Sequence, residues 1–198
     1  YERLGDAAAA DRALNQLTKL EPAALETTLV AADLMIAREQ FDAAESTLSQ
    51  ALKQAKGPIA RGIQQRRMRA ALASERIDVA RAAADDALRV APSDIDMLRQ
   101  AIDIAVTAKD WQAAARYENQ LRDAEGEAGV VWRLYRARRM LLAERPTAAT
   151  LAEVRDLLSR IELARPGWSA ATMLAGFAAE TAGNTTAAID LYTRAIEQ

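Results

Sequence analysis

The sequence offers few side chains that could carry out acid–base, covalent or metal chemistry. It contains no His and no Cys, which removes the commonest general base and the imidazole and thiolate ligands of metals. It also lacks a Gly-rich phosphate loop, a nucleophile elbow and a metal-ligand spacing. The acidic pairs Asp85–Asp86 and Glu125/Glu127 fall on predicted helix surfaces or in a turn, where we expect solvated carboxylates. We therefore predict no catalytic, cofactor-binding or metal-binding residue and no enzymatic activity.

Arginine is the one abundant group able to bind a ligand. The chain has 22 Arg but only four Lys, and its net charge is −2. Arginines concentrate in segments 61–69 and 133–145, and the more acidic segment 94–103 lies between them. A guanidinium group binds carboxylate or phosphate through two parallel hydrogen bonds. Because the chain lacks the overall basic excess of a nucleic-acid binder, we expect no nucleic-acid partner.

The composition indicates an all-helical protein. Hydrophobic residues make up 51% of the chain, most of them Ala, with few aromatic residues. Ala is the best helix former, and its mixture with Glu, Leu and Arg is typical of helical proteins. No segment approaches the roughly 20 apolar residues that a membrane span requires, so we expect no membrane insertion. The chain opens at Tyr1 without a Met, so a leader could lie outside it, and we predict no localisation.

An internal repeat organises these residues. Helix-ending prolines at 22, 58, 92 and 166 are separated by 36, 34 and 74 residues, and 74 is two periods of 34 plus six. A second series, Phe41, Ile77 and Trp111, shows the same steps of 36 and 34. Small residues that would let helices pack closely recur with it at Ala10, Ala44, Ala80, Ala114 and Ala188. A fixed period of this length is the signature of a repeat architecture.

Each period holds two predicted helices joined by a short turn. A half repeat, 1–21, with its turn at Leu4-Gly5-Asp6, precedes full repeats at about 22–57, 58–92, 93–127, 128–166 and 167–198. The predicted helices are 6–20, 22–37, 41–55, 58–73, 77–90, 94–108, 111–124, 129–144, 148–164, 167–182 and 185–198. Ser93 and Asp94 should cap the helix that begins at 94, and the six extra residues fall in the turn 145–150, at Pro146. We therefore predict a single array over residues 1–198.

The last repeat carries the clearest family pattern. Its residues Gly176, Gly183, Ala188, Tyr192 and Ala195, together with the period of 34, resemble the tetratricopeptide repeat (TPR) family over the whole chain, as a bacterial multi-repeat array. The resemblance implies an all-α, right-handed α-solenoid of antiparallel helix pairs. The inner repeats depart from the pattern. Met68, Ile102 and Arg136 stand where the family places a small residue of the first helix, and Val154 replaces the small residue of the second helix in the fifth repeat.

The resemblance also implies a concave groove, lined by the first helix of each repeat, that receives an extended partner segment. The groove positions that it assigns are Asp33, Gln65, Arg69, Arg99, Asp103, Arg133, Ala137, Met173 and Phe177. Arg69, Arg99 and Arg133 would form a ladder that favours an acidic partner, and Met173 and Phe177 would supply an apolar grip. The first helices carry neither the paired Lys and Asn of the family's carboxylate clamp nor an Asn ladder, so those activities are not implied here.

Alternative roles remain open for several of these residues. Asp103 could pair with Arg99 one turn away, or with Arg69 or Arg133 across the helices, and we favour such mutual pairing over ligand binding. Trp168 could line the groove beside Met173 and Phe177. We favour a core position for it, because it follows Pro166-Gly167 at a repeat junction, and also for Trp111 and Trp132.

The predicted function is a non-catalytic scaffold for protein–protein interaction. An assembly module is the first alternative, for self-association or for an envelope or secretion complex, because Ala188, Ile189, Tyr192 and Ile196 would leave an apolar face on the last helix. A targeting arm of an enzyme outside this chain is the second alternative. The chain begins within a repeat and ends without a polar capping helix, so we expect a segment of a longer array or an end covered by another copy.

Overall fold

The computed structural model describes residues 6–20, 24–143 and 146–198. Over these ranges it contains eleven α-helices and no strand. The helices are α1 (Ala7–Leu20), α2 (Leu25–Ala37), α3 (Phe41–Leu52), α4 (Gly57–Ala73), α5 (Ile77–Val90), α6 (Ile95–Thr107), α7 (Trp111–Glu125), α8 (Val131–Ala143), α9 (Ala148–Ala164), α10 (Ser169–Thr181) and α11 (Thr185–Glu197). The predicted all-α class is confirmed.

The helix bounds follow the predicted ones closely. Helices α5 and α9 agree at both ends, and Asp94 caps α6 by accepting hydrogen bonds from the backbone N–H groups of Asp96 and Met97, both at 3.1 Å. Helix α3 ends at Leu52, three residues earlier than predicted, and α8 begins two residues later than predicted. The predicted turn at 4–5 and the predicted helix ends at Pro22 and Glu144 lie outside the described residues.

The helices form two compact units. The N-terminal unit ends at Ala91 and contains α1 to α5, and the C-terminal unit begins at Pro92 and contains α6 to α11. Within each unit, consecutive helices pack against each other as hairpins. The first helices of neighbouring repeats also touch within each unit, at α2/α4, α6/α8 and α8/α10.

Four of the hairpin turns share one geometry. The second-last residue before the next helix adopts a positive φ: 59° at Glu39, 58° at Glu75, 54° at Lys109 and 78° at Gly183. The residue after it donates its backbone N–H to a carbonyl five residues back, at 2.8 to 2.9 Å. This left-handed cap satisfies carbonyl groups that a helix C-terminus leaves unpaired. Glycine adopts such a φ without steric cost, and it occupies this position only in the last of the four turns.

The small residues of the repeat lie where helices approach each other. Ala44, Ala80 and Ala114 are fully buried, and Ala188 is 3% exposed. The larger residues beside them, Leu48, Leu88 and Leu121, are also buried. In the N-terminal unit, Leu48 and Ala51 of α3 join Ala32 and Ile63 in one core cluster. The predicted packing role of the alanines is confirmed.

A carboxylate joins a second helix to the next first helix in each unit. Glu118 of α7, almost fully buried, accepts a hydrogen bond from Arg139 Nε of α8 at 2.8 Å. Glu45 of α3 accepts bonds from Arg67 Nε and Nη2 of α4, at 2.9 and 2.7 Å. A buried charge is tolerated when it is paired and hydrogen-bonded. These links therefore hold successive repeats together without leaving a buried carboxylate alone.

The outer face of α11 is partly apolar. Ile189 is 59% exposed and Ile196 is 80% exposed. Ala188, in contrast, is buried, and Tyr192 packs its ring against Gly176. The predicted apolar face is therefore corrected to the two isoleucines. Within the described ranges, the helices are too short or too polar to cross a membrane.

The contact between Gly176 and Tyr192 leads to a first prediction. A Cβ at position 176 would lie 2.6 Å from two carbon atoms of the Tyr192 ring, whose hydroxyl donates to Glu180 at 2.7 Å. Overpacking of this kind costs about 1–3 kcal/mol, whereas replacing a helical Gly by Ala gains about 1 kcal/mol. We expect Gly176→Ala to lower the free energy of unfolding by about 1 kcal/mol, as measured by urea unfolding.

The Tyr192→Ala background is the matched control. Without the ring, the added methyl group meets no obstacle, so Gly176→Ala should there raise the free energy of unfolding by up to about 1 kcal/mol. The same sign in both backgrounds would contradict the proposed clash.

Candidate functional site

In the N-terminal unit, two of the predicted groove residues, Asp33 and Arg69, pair with each other. Asp33 of α2 accepts hydrogen bonds from Arg66 Nε and Nη2 of α4, at 3.0 and 2.8 Å, and it also pairs with Arg69. Gln65 lies half-buried on α4. Arg69 therefore has a carboxylate partner already, although its side chain remains 56% exposed. Mutual pairing, the alternative weighed for the charged residues, applies here.

In the C-terminal unit, the first helices α6, α8 and α10 surround a cavity of about 330 Å³. Its wall combines two guanidinium groups with aliphatic and aromatic side chains. The lining residues are Arg99 of α6; Val131, Leu134, Tyr135 and Arg138 of α8; and Trp168, Ala170 and Leu174 in and before α10. We call this cavity the first-helix pocket. Its size falls within the range of protein ligand sites, about 300–1,000 Å³.

A polar network forms one wall of the first-helix pocket. Arg99 Nε donates to the Tyr135 hydroxyl at 3.3 Å, and that hydroxyl donates to Asp103 Oδ2 at 3.4 Å. Asp103 pairs with Arg138 of α8 and not with Arg99 or Arg133. The hydrogen bond with Tyr135 raises the pKa of Arg99, and burial raises the pKa of Tyr135, so Tyr135 is a neutral phenol at pH 7.

Arg99 keeps part of its guanidinium group available. Within the described residues it donates only to Tyr135 and, at 3.4 Å, to Asp96 of its own helix. Its side chain is 47% exposed, and its Cζ lies 5.9 Å from the centre of the Tyr135 ring. These long contacts hold the planar, forked guanidinium group over the Tyr135 ring and leave some of its N–H donors unused. A carboxylate of a ligand could therefore reach it.

The structure corrects one groove position that was predicted on α8. Ala137, assigned to the groove, is fully buried, whereas Leu134, Tyr135 and Arg138 line the pocket. Arg136, which stands at the small-residue position of the sequence pattern, is half-buried. It pairs with Glu153 of α9 at 3.0 Å. Helix α8 begins 36 residues after α6, two more than the predicted period of 34.

Arg133 lies half-buried at the start of α8 and binds its own loop. Its guanidinium group donates to the backbone carbonyls of Glu127, Ala128 and Gly129. Glu125 supports the same loop. It accepts hydrogen bonds from the N–H groups of Val130, Val131 and Trp132, at 2.9 to 3.0 Å, which caps α8. The expectation of a merely solvated Glu125 is thus corrected.

Helix α10 supplies the apolar wall of the pocket. Trp168 is half-buried and lines the pocket, and Arg165 Cζ lies 4.4 Å from the centre of its ring. The predicted core position of Trp168 is therefore corrected to a position in the pocket wall. Trp132 is a core residue, 6% exposed. Met173, 44% exposed, and the half-buried Phe177 lie on α10 beyond the pocket, one turn apart from each other.

Tyr135, Arg138, Leu134 and Leu174 were missed as site residues by sequence reasoning. Val131, Leu134, Tyr135 and Arg138 follow the i, i+3, i+4, i+7 spacing of one helix face, which is the sequence signal that groups them. Among the described residues, no group of three or more Asp or Glu is arranged to hold a metal ion.

The burial of Tyr135 leads to a prediction on alkaline behaviour. Because its pKa is raised from 10.0 in the folded state, the folded protein resists its ionisation. The neutral phenol contributes its full share to the free energy of unfolding below the unfolded-state pKa of about 10. This contribution is lost as the pH rises through the higher pKa of the folded state. We expect wild type to lose unfolding free energy relative to Tyr135→Phe above about pH 10. An ultraviolet difference titration between the two proteins should have its midpoint above 10.0, and a midpoint at or below that value would contradict the burial effect.

Comparison with known proteins supports the fold. No protein-family model matches the chain, and no curated protein matches it by sequence. Among solved structures, YrrB, described as a TPR protein with an unusual peptide-binding site, aligns with a TM-score of 0.56 at 15% identity, over 93% of this chain and 91% of that one. MamA MSR-1 C2 aligns with a TM-score of 0.53 at 12% identity, over 87% of this chain and 95% of that one. This chain is an all-α helical-repeat protein with the fold of TPR proteins.

Proposed function

We propose that the chain is a non-catalytic scaffold that binds an extended segment of a partner protein at the first-helix pocket. The observation that carries the proposal is the chemistry of this pocket, where the accessible fork of Arg99 lies beside an apolar wall containing Trp168. The likeness in fold to YrrB, a TPR protein with a peptide-binding site, supports it. The partner segment belongs to the acidic class expected from the sequence.

The pocket selects for two neighbouring groups in the partner. A carboxylate can take the free positions of the Arg99 fork, because Arg138 is already paired with Asp103. A large aliphatic or aromatic side chain can fill the space between Leu134, Leu174 and Trp168. We therefore propose a motif in which an acidic residue adjoins a large apolar one. Met173 and Phe177 extend the apolar contact along α10, while Gln65 and Arg69 contribute to binding within the N-terminal unit.

Selection from a displayed library of random peptides tests this proposal. Peptides enriched on the wild-type protein should carry the acidic–apolar motif. Arg99→Ala should weaken them about tenfold, because a charged hydrogen bond is lost, and Trp168→Ala should weaken them at least as much. Raising NaCl from about 50 to about 500 mM should weaken binding to wild type more than to Arg99→Ala.

Arg160→Ala provides the matched control. Arg160 is exposed on α9 and pairs with Asp156 in its own helix, so its removal should leave peptide affinity unchanged. If the selected peptides bound Arg99→Ala and Trp168→Ala as tightly as wild type, the pocket would not be the binding site.

Self-association is a second candidate function, favoured by one observation. Ile189 and Ile196 of α11 are both exposed, and burial of such a pair against another copy would remove apolar surface from water. Sedimentation velocity should then show a size that rises with concentration, and Ile189→Glu with Ile196→Glu should abolish the rise. A concentration-independent monomer would exclude this function for the chain.

A further inference from the structure

A second cavity, of about 430 Å³, lies between α9, α10 and α11 of the C-terminal unit. Four alanines of α10 and its C-cap form the floor of this cavity: Ala171, Ala175, Ala178, Ala179 and Ala182. They occupy a different face of α10 from Ala170 and Leu174, which line the first-helix pocket. We call this cavity the alanine-floored cleft. It is a separate surface, so it does not rest on the proposed function.

The dimensions of the cleft match a short helix. Ala171 of α10 and the C-cap Ala182 are eleven residues apart, which corresponds to about 16 Å or three helical turns. Leu151 and Leu158 of α9 form one wall, and Leu191 of α11 forms part of the other. A floor of methyl groups allows a close approach between helix axes, because no long side chain separates them. Leucine-sized side chains of an occupant would fill the remaining space.

The chemistry of the floor favours a helix over an extended segment. The alanine side chains offer no hydrogen-bonding group, and the backbone groups of α10 are used within the helix. An extended segment would leave its own N–H and C=O groups facing methyl groups, which is costly. A helix satisfies these groups internally and can present an apolar stripe to such a groove.

The charges at the rim indicate the sign of the occupant. Arg155 of α9 and Arg194 of α11 are exposed cleft residues. Within the described part of the chain, neither has a carboxylate at ion-pair distance, and Arg155 donates only to the Leu151 carbonyl of its own helix, at 3.2 Å. Glu162 of α9 is the acidic residue of the lining. Two unpaired guanidinium groups against one carboxylate leave the rim positive, which complements an acidic occupant.

We propose that the alanine-floored cleft binds an amphipathic helix of about three turns from a partner protein. The helix places an apolar stripe on the alanine floor, between the leucines of α9 and α11. Acidic residues on its flanks meet Arg155 and Arg194. The chain thereby offers two independent surfaces on the two faces of α10, one for an extended segment and one for a helix.

Fluorescence anisotropy with a designed peptide tests this proposal. The probe is a labelled helix of about 15 residues with Leu at i, i+4, i+7 and i+11, and Glu on both flanks. It should bind wild type in preference to a scrambled peptide of the same composition. Ala179→Trp, which fills the cleft, should weaken binding at least tenfold. Thr186→Trp, an exposed change on α11 outside the cleft lining, should have no effect.

A charge reversal separates recognition from damage to the fold. Arg155→Glu with Arg194→Glu should weaken the Glu-flanked probe about five- to tenfold and should strengthen binding of a Lys-flanked version. This test also holds if Ala179→Trp fails to fold. The proposal would be overturned if the designed and scrambled peptides bound equally. It would also be overturned if the double variant still preferred the Glu-flanked probe over the Lys-flanked one. Cleft-dependent binding of a fluorescent fatty acid with no binding of the helix would likewise overturn it. Trp168→Ala should leave probe affinity unchanged, which distinguishes this site from the first-helix pocket.

Discussion

Close approach of helices at alanine is the constraint on which the packing within each unit depends. A helix pair cannot bury its apolar face alone, so each pair packs against its neighbour along a row. Ala44, Ala80 and Ala114 are fully buried at these contacts. A larger side chain at such a point would force the two helices apart, since interiors are close-packed. The same constraint applies at Gly176, where the Tyr192 ring lies so close that no space remains for a methyl group.

The pairing of the charged residues follows from this packing. Helices that approach closely bring long Arg side chains of one first helix over carboxylates of its neighbour, as at Asp33 with Arg66 and at Asp103 with Arg138. Buried carboxylates such as Glu118 are neutralised in the same way. Many of the arginines therefore act within the fold, whereas Arg99 and Arg155 keep exposed guanidinium groups.

Helix α10 shows how one element can serve two surfaces. The alanines at 171, 175, 178 and 179 line the cleft with α9 and α11, whereas Ala170 and Leu174 line the first-helix pocket with α6 and α8. A third face packs Gly176 against the ring of Tyr192. Because a helix has room for three such faces around its circumference, the first-helix pocket and the alanine-floored cleft can coexist without sharing a residue. A partner at one of them does not need to displace a partner at the other.

The sequence by itself determined the helical class, the helix pairs and most of the helix bounds. These depend on local composition, on the spacing of apolar residues and on turn residues, and α5 and α9 match their predicted bounds at both ends. The buried alanines were also predictable, because a fixed period relates them.

The tertiary structure alone decided which side chains meet. In α8, the packing between helices buries Ala137 and leaves its neighbour Arg138 in the wall of the pocket. It also decided that Arg133 binds its own loop while Arg99 keeps an accessible fork. Such pairings depend on distances between helices that are remote in sequence, and a repeat period does not contain them.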